Sequence, residues 1–257
     1  MKIQHIRNAT MIIEANDSVS VLLVDPMIGD QGTMPPFAFF KSKPKRNPIV
    51  PMPENSLEVL ERVTHCLITH KHPDHIDNKA IAYLIKKKIP VICSALDEKF
   101  FRKKGLNVTQ TIGYWQRTDF LGGKIEGIPA KHGYGFVAKP AGNVMGFYLE
   151  LPNQPSVYLS SDTIFTEDVK KVLKEYQPNI SVVAAGSARF DFFKPLLMTK
   201  EDILAFIKDS LGKVIANHME AVNHCPTTRT ELTALVTEAG FGDKTYIPED
   251  GEVMEFN

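Results

Sequence analysis

The chain has 257 residues, a hydrophobic fraction of 43% and a charged fraction of 23%, which are ordinary values for one large globular domain. Basic and acidic residues both number 30, so the formal net charge is zero, and this balance argues against a nucleic-acid partner. No apolar run approaches the roughly 20 residues of a membrane span, and the N-terminus lacks a signal core, so we expect no membrane partner. The three cysteines are odd in number and scattered, which predicts a reduced, cytoplasmic protein.

Short β-like runs open the chain, and from residue 56 onward helices and strands alternate. The opening strands are predicted at residues 3–6, 10–14 and 19–24, with Asn16 and Asp17 forming the turn between the last two. Later strands are predicted at residues 63–69, 91–93, 107–112, 124–128, 143–151, 156–160, 180–184 and 213–216. Helices are predicted at residues 56–63, 78–88, 96–104, 166–176, 200–211 and 229–239. The pattern predicts a single domain over residues 1–257, with mixed sheets and helices outside them.

A Pro-rich segment at residues 30–55 separates the opening strands from the alternating region. It contains six prolines, and proline removes a backbone donor and fixes φ, so neither a regular helix nor a central strand fits here. We interpret the segment as a long loop with Phe37, Phe39 and Phe40 as its apolar anchors. Such a loop serves either as a lid over a functional site or as a structural wrap on the surface.

The residues that follow the predicted strand at 63–69 concentrate metal-binding chemistry. His70, His72, Asp74 and His75 fall within six residues. Neutral imidazole nitrogen and carboxylate oxygen are the usual protein ligands of zinc and related divalent ions. Burying such groups without partners is costly, so the cluster indicates a metal site more than a solvated polar loop.

Further candidate ligands follow the ends of later strands. His132, Asp162 and His218 each come shortly after a predicted strand. Neighbouring strand ends lie side by side at one edge of a sheet, so these side chains can converge. We predict one ion at His70, His72 and His132, a second at Asp74, His75 and His218, and Asp162 bridging the two. Two cations held close together by a shared carboxylate can bind a hydroxide between them.

In order and spacing, the run His70-x-His72-x-Asp74-His75 followed by His132, Asp162 and His218 resembles the pattern of the metallo-β-lactamase superfamily. The opening strands add to this resemblance, which is closest to the branch of L-ascorbate-6-phosphate lactonase. It implies an α+β fold: an αββα sandwich of two mixed β-sheets flanked by helices, with metals at the strand ends. That branch often has Gly-His before an Ala-Thr or Ala-Ser pair, whereas Arg7-Asn8 stands here. His72 occupies the place at which the flavodiiron oxidoreductases of this fold carry glutamate, which favours hydrolysis.

Five other residues are candidates for supporting roles. Asp25 would accept the second N–H of a metal-bound imidazole, or would merely form a turn before Pro26. His224 would donate a proton or contact the substrate, or would be a structural loop histidine. Arg189 would grip a phosphate or carboxylate, and Asn8 would replace the missing histidine as a substrate hydrogen-bonding group. Cys225 is interpreted as a small buried apolar residue more than as a soft ligand.

The sequence therefore predicts a binuclear metal-dependent hydrolase. A hydroxide bridging two divalent metal ions would attack a small-molecule ester, lactone or phosphoester, with an anionic substrate fitting Arg189. Asp74 would orient the nucleophile, and Asp74 or His224 would pass a proton to the leaving group. The imidazoles favour zinc and the carboxylates leave manganese open. The alternatives are a mononuclear-iron oxygenase, a nuclease-type phosphodiesterase and a non-catalytic metal-binding protein; a homo-oligomer is compatible with the sequence.

Overall fold

Two β-sheets packed face to face and covered by helices form the protein, as the computed structural model describes it for residues 1–15, 20–40, 42–135 and 142–256. The predicted αββα sandwich of two mixed sheets is confirmed. The turn predicted at Asn16 and Asp17 lies outside the described residues. No helix in these ranges has the length and apolar character that a membrane span requires.

The strands and helices follow the predicted alternation closely. The strands are β1 Lys2–Arg7, β2 Thr10–Glu14, β3 Val21–Val24, β4 His65–Ile68, β5 Val91–Ser94, β6 Val108–Ile112, β7 Arg117–Phe120, β8 Gly123–Pro129, β9 Met145–Glu150, β10 Val157–Leu159, β11 Ile180–Ala184, β12 Lys213–Asn217, β13 Thr245–Tyr246 and β14 Val253–Glu255. The helices are α1 Ser56–Glu61, α2 Asn78–Lys87, α3 Glu98–Lys103, α4 Glu167–Lys171, α5 Lys200–Asp209 and α6 Arg229–Glu238. The chain continues from α4 as a π-helical turn at Val172–Tyr176, and a 3₁₀ turn lies at Gly242–Lys244.

Each sheet has an antiparallel and a parallel half. The first sheet has the order β14-β1-β2-β3-β4-β5-β6 and is parallel from β3 to β6. The second has the order β13-β12-β11-β10-β9-β8-β7 and is parallel from β10 to β13. Strands β8 and β10 are both antiparallel to β9, so they run in the same direction. Strand β12 runs parallel to β10 through β11, so β8, β10 and β12 all end at one edge of the sheet. That edge is where the polar strand ends gather.

Alternation along each strand sorts side chains into layers. In β4, Leu67 points into the core between the sheets, where it joins Phe147. Its neighbours Cys66 and Ile68 point the other way and pack with Leu84 of α2. Burial of such a side chain contributes roughly 1.5–3 kcal/mol to the free energy of folding. Apolar packing on both faces of β4 therefore holds the end of this strand in place.

The elements that the sequence pattern did not reveal lie at sheet edges. Strand β7 is short and mostly polar, and it pairs only with β8 at the end of the second sheet. Strands β13 and β14 have two and three residues. Such short or mostly polar strands carry too little apolar alternation to be recognised in the sequence.

Arg7 fastens the Pro-rich segment to the first sheet. Its side chain is fully buried, and the guanidinium donates to the backbone carbonyls of Met27 (3.0 and 3.1 Å), Val50 (2.9 Å) and Gly29. Burial lowers the pKa of Arg7 to about 10, so the group stays charged at neutral pH. Arg7 stands where the branch that the sequence resembles often has glycine, and in this chain the position has a structural role.

Replacing Arg7 by methionine should lower the free energy of unfolding by about 3 kcal/mol, because buried carbonyls lose their charged donor. The comparison is Arg62→Met, which removes a half-exposed pair with Glu14 (2.9 Å) and should cost less than about 1 kcal/mol. Urea unfolding of both variants measures the difference. Equal losses would mean that Arg7 does not anchor the segment.

Candidate metal centre

The candidate ligands lie together at the edge where β4, β8, β10 and β12 end. The loop after β4 carries His70, His72, Asp74 and His75, and His132, Asp162 and His218 follow the other three strands. His72 is partly exposed, and the other six are buried. The structure therefore brings all seven predicted ligands to one place.

His70, His72 and His132 form the first group. Nε2 of His70 lies 3.0 Å from Nδ1 of His72. One ligand atom of each of the three lies within 4.8 Å of the others. Three imidazole nitrogens at this spacing match the donor set of a zinc-type ion.

Asp74, His75 and His218 form the second group. Nε2 of His75 and Nε2 of His218 are 3.1 Å apart, and Nε2 of His218 lies 3.3 Å from Oδ2 of Asp74. The three ligand atoms again lie within 4.8 Å of one another. This group is fully enclosed, whereas His72 leaves the first group open on one side.

Asp162 lies between the two groups. Its Oδ2 is 3.4 Å from Nε2 of His132 and 3.5 Å from Nε2 of His218, and its Oδ1 is 3.3 Å from Nε2 of His75. One carboxylate thus faces imidazoles of both groups, as a bridging ligand would.

The donor set fits divalent cations. Oδ1 of Asp162 is buried and makes no hydrogen bond within the described structure. His75 and His132 direct their Nδ1 atoms away from the centre, to Asp25 Oδ2 (2.9 Å) and to the carbonyl of Leu196 (3.0 Å). When Nδ1 carries the hydrogen, each Nε2 turned inward is a bare acceptor, and acceptors crowded at these distances repel one another unless a proton or a metal cation lies between them.

The charges of the centre favour metal binding coupled to proton release. Burial, aided by the neighbouring imidazoles, lowers the pKa of His70 well below its usual value, and burial also lowers the pKa of His72. For His75, burial acts in the opposite direction to Asp162 and Asp25, whose charges prevail and raise its pKa to about 10. The pKa of Asp162 is held well below its ordinary value, because the charges of His218 and His75 outweigh the effect of burial. A bound cation would replace the proton that His75 otherwise holds.

Asp25 lies directly behind the centre. Its Oδ2 accepts from His75 Nδ1 (2.9 Å) and from the hydroxyl of Thr69 (2.7 Å), and its Oδ1 accepts from the backbone N–H of Thr69 (2.7 Å). Thr69 Oγ1 in turn lies 3.0 Å from Nδ1 of His70. Asp25 therefore orients His75 of the second group directly and His70 of the first group through Thr69.

Several residues of the centre have left-handed backbone. Asn8, Asp25, Ser161 and His218 have φ values of 53°, 45°, 58° and 61°. Residues other than glycine rarely adopt this conformation, and such strain concentrates at functional sites. Here it turns the chain sharply at each strand end.

Asn8 and Arg189, both predicted as substrate contacts, have different surroundings in the structure. Asn8 is fully buried, and its Nδ2 donates to the carbonyl of Asp74 (3.0 Å), so it holds the ligand loop from behind. Arg189 is exposed, and its backbone N–H donates to the carbonyl of His224 (3.0 Å). The geometry supports a positioning role for Asn8, and it ties Arg189 to the site only through this backbone contact with His224.

His224 lies beside the second group, with its ring centroid 6.4 Å from that of His218. Its ring is enclosed by Phe37, edge-on at 5.2 Å, and by Phe190, stacked at 5.9 Å. Burial lowers the pKa of His224 to about 4, so the imidazole is neutral near pH 7. Its buried Nδ1 makes no hydrogen bond to the described residues, which leaves it free to bond a substrate atom.

Sequence reasoning named Phe37 as an apolar anchor, missed Phe190 beside His224 and misjudged two other aromatic residues. Phe39 and Phe40, expected as apolar anchors, are 54% and 77% exposed, because the segment is held by polar contacts of its backbone. The run Phe190-Asp191-Phe192-Phe193 carried the signal that was overlooked. Aromatic residues crowded into a loop are unusual unless they serve binding.

Cys225 contacts the back of a ligand. Its buried Sγ lies 3.4 Å from Nδ1 of His218, and a side chain at Gly186 would collide with it at 2.9 Å. The thiol is thus placed to accept the Nδ1 hydrogen of His218 and so to turn Nε2 inward.

Cys225→Ala should weaken metal binding by about 10- to 100-fold, and Cys225→Ser should keep most of the affinity because serine also accepts a hydrogen bond. Competition with a fluorescent chelator measures the affinity. Cys93→Ala, which removes a buried thiol on β5, should leave it unchanged. Wild-type affinity in Cys225→Ala would contradict the contact's role.

A catalytic metal centre at the strand ends of an αββα sandwich is the arrangement of the metallo-β-lactamase fold. The sequence pattern of the Beta-lactamase superfamily domain matches residues 21–219 of this chain. UPF0173 protein YddR of Bacillus subtilis (strain 168) is 32% identical over 259 residues, and the match covers 100% of both proteins. The chain therefore belongs to the metallo-β-lactamase superfamily and, within it, to the UPF0173 group of metal-dependent hydrolases.

Two solved structures are similar over almost the whole chain. An isothiocyanate hydrolase from Delia radicum gut bacteria is 30% identical, with a TM-score of 0.89 and coverage of 100% of this chain and 99% of that one. A protein described as a possible metal-dependent hydrolase from Veillonella parvula DSM 2008 is also 30% identical, with a TM-score of 0.90 and coverage of 99% and 98%.

Proposed function

We propose that this metal-dependent hydrolase acts through two divalent ions on a small organic molecule. The observation that carries the proposal is the position of Asp162, whose carboxylate faces His132 of one group and His75 and His218 of the other. A single-ion enzyme would have no use for a second buried set of ligands. Because most of the donors are imidazoles, zinc is the ion of choice, and the two carboxylates also suit manganese.

Bound ions would supply an activated water near neutral pH and would polarise the bond under attack. The protein's own groups provide the rest. Asp74, whose Oδ2 faces His218 at 3.3 Å, orients the water. His224 is neutral and enclosed, so it donates or accepts one hydrogen bond at the leaving atom and does not act as a charged acid.

Two substrate classes fit this chemistry. The first, expected from the motif, is an ester, lactone or phosphoester, and the exposed Arg189, whose backbone contacts His224, would suit an anionic example. The second is an isothiocyanate, favoured by 30% identity over the whole chain to an isothiocyanate hydrolase and by the phenylalanines around His224. In that reaction water adds to the central carbon, the carbon–nitrogen bond breaks, the nitrogen takes up both hydrogens, and an amine and carbonyl sulfide leave.

The test is an assay of metal-loaded protein against an aryl ester, a γ-lactone, a phosphodiester and benzyl isothiocyanate. Turnover of one class that is lost on chelation and restored by zinc or manganese would support the proposal. Turnover that survives chelation would contradict it. Oxygen consumption with a single iron per chain would instead point to the oxygenase chemistry.

A further inference from the structure

An aromatic surface lies beside the candidate metal centre, next to His224. Phe37 and Phe40 of the Pro-rich segment and Phe190 and Phe192 of the loop after β11 form it, and we call these four residues the aromatic rim. Phe40 is 77% exposed and Phe192 is 76% exposed. Contiguous exposed aromatic surface is costly in water and marks a binding site on a folded protein.

The rim has an exposed outer end and an inner end beside the second ligand group. At its outer end the rings of Phe40 and Phe192 lie 5.6 Å apart. At its inner end Phe37 and Phe190 enclose His224, and His224 faces His218. A molecule whose reacting atom lies at the metals would therefore lay its remaining part along these rings.

Polar contacts hold the two loops of the rim together. The buried carboxylate of Asp191 accepts from the backbone N–H groups of Phe39 (2.8 Å) and Phe40 (2.9 Å). Asn223 Oδ1 accepts from the N–H of Phe37 (2.8 Å). Asp191 and Asn223 lie some 150–190 positions away in the chain from the phenylalanines that they hold, so tertiary contacts fix the conformation of the rim. Preorganisation of this kind favours binding, because little freedom is lost when a ligand arrives.

We propose that the aromatic rim is the specificity site for an apolar, preferably aryl, substituent on the substrate. The inference rests on the proposed function, since it places the reacting bond at the metals, and it adds the part of the molecule that is recognised. A small substrate is the occupant that the geometry favours over a second copy of the chain, because the rim leads inward to His224 and the metal ligands. Phenyl rings stack and meet edge-to-face with phenylalanines, which adds to the burial of apolar area.

The experiment compares two probes that share one metal-binding head. Acetohydroxamate carries a methyl group and phenylacetohydroxamate carries a benzyl group, and calorimetry gives the Kd of each for zinc-loaded protein. Wild type should bind the benzyl probe about tenfold more tightly or better, from the apolar area that a phenyl ring buries. The double variant Phe40→Ala/Phe192→Ala should lose most of that preference, and Phe40→Leu/Phe192→Leu should keep part of it. Both positions are exposed, so the variants should fold.

Leu57→Ala is the matched control, since Leu57 is 60% exposed on α1 and lies outside the rim. It should keep the wild-type preference. An unchanged preference in the double alanine variant would overturn the proposal, and so would an equal loss of affinity for both probes. A change from oligomer to monomer with the preference intact would assign the rim to contacts between copies. If neither hydroxamate bound zinc-loaded protein, the proposal for the rim and the proposed function would both fail. If wild type bound both probes with equal affinity, only the proposal for the rim would fail.

Discussion

Asp162→Ala is expected to lower turnover by at least about 10³-fold and to reduce the bound metal from two ions per chain toward one. The carboxylate of Asp162 faces His75, His132 and His218, and a methyl group at this position can neither bridge two ions nor offset their charge. The surrounding imidazoles hold the pKa of Asp162 well below its usual value, so its carboxylate is charged at neutral pH.

The measurement for this variant is turnover together with elemental analysis of the same sample. Asp209→Ala, at the exposed end of α5, is the matched control and should keep both activity and metal content. Asp162→Asn should be nearly as inactive as the alanine variant, since the amide keeps the shape and loses the charge. Activity close to wild type in either Asp162 variant would rule out the bridging role.

Asp25→Ala should impair both the fold and the centre. Three hydrogen bonds that Asp25 accepts from Thr69 and His75 would be lost in a buried place, and the unfolding free energy should fall by about 3 kcal/mol. Metal affinity should fall by about 10- to 100-fold, because His75 is no longer held with Nε2 toward the centre. Urea unfolding of metal-free protein and competition with a chelator separate the two effects.

Asp25→Asn is the informative companion variant. Its carbonyl oxygen can still accept from the backbone N–H of Thr69, whereas its amide cannot accept the hydrogen of His75 Nδ1. We therefore expect it to recover part of the stability and little of the metal affinity. If Asp25→Ala bound metal as tightly as wild type, the carboxylate would be only a turn-forming residue before Pro26.

The ligands could be predicted because their signals are local. His70, His72, Asp74 and His75 are adjacent in sequence, and any tight turn brings them together. Asp162 and His218 follow apolar runs that are recognisable as strands, and strands in one sheet that point the same way end at the same edge. The fold class followed from the same alternation of strands and helices.

The residues around the ligands could not be predicted, because their partners are distant in the chain. The contact of Cys225 with His218 depends on the left-handed backbone of His218 and on the absence of a side chain at Gly186. Neither requirement can be recognised from one sequence. The aromatic rim joins segments some 150 residues apart through Asp191. Arg7 appears as an ordinary charged residue until the carbonyls that surround it are known.

The metal content of freshly purified protein tests the central claim most directly. Elemental mass spectrometry counts the ions per chain in the same sample from which the protein concentration is measured. Two ligand groups with Asp162 between them predict close to two zinc or manganese ions per chain. One ion per chain, or none after reconstitution with zinc or manganese, would contradict the binuclear centre.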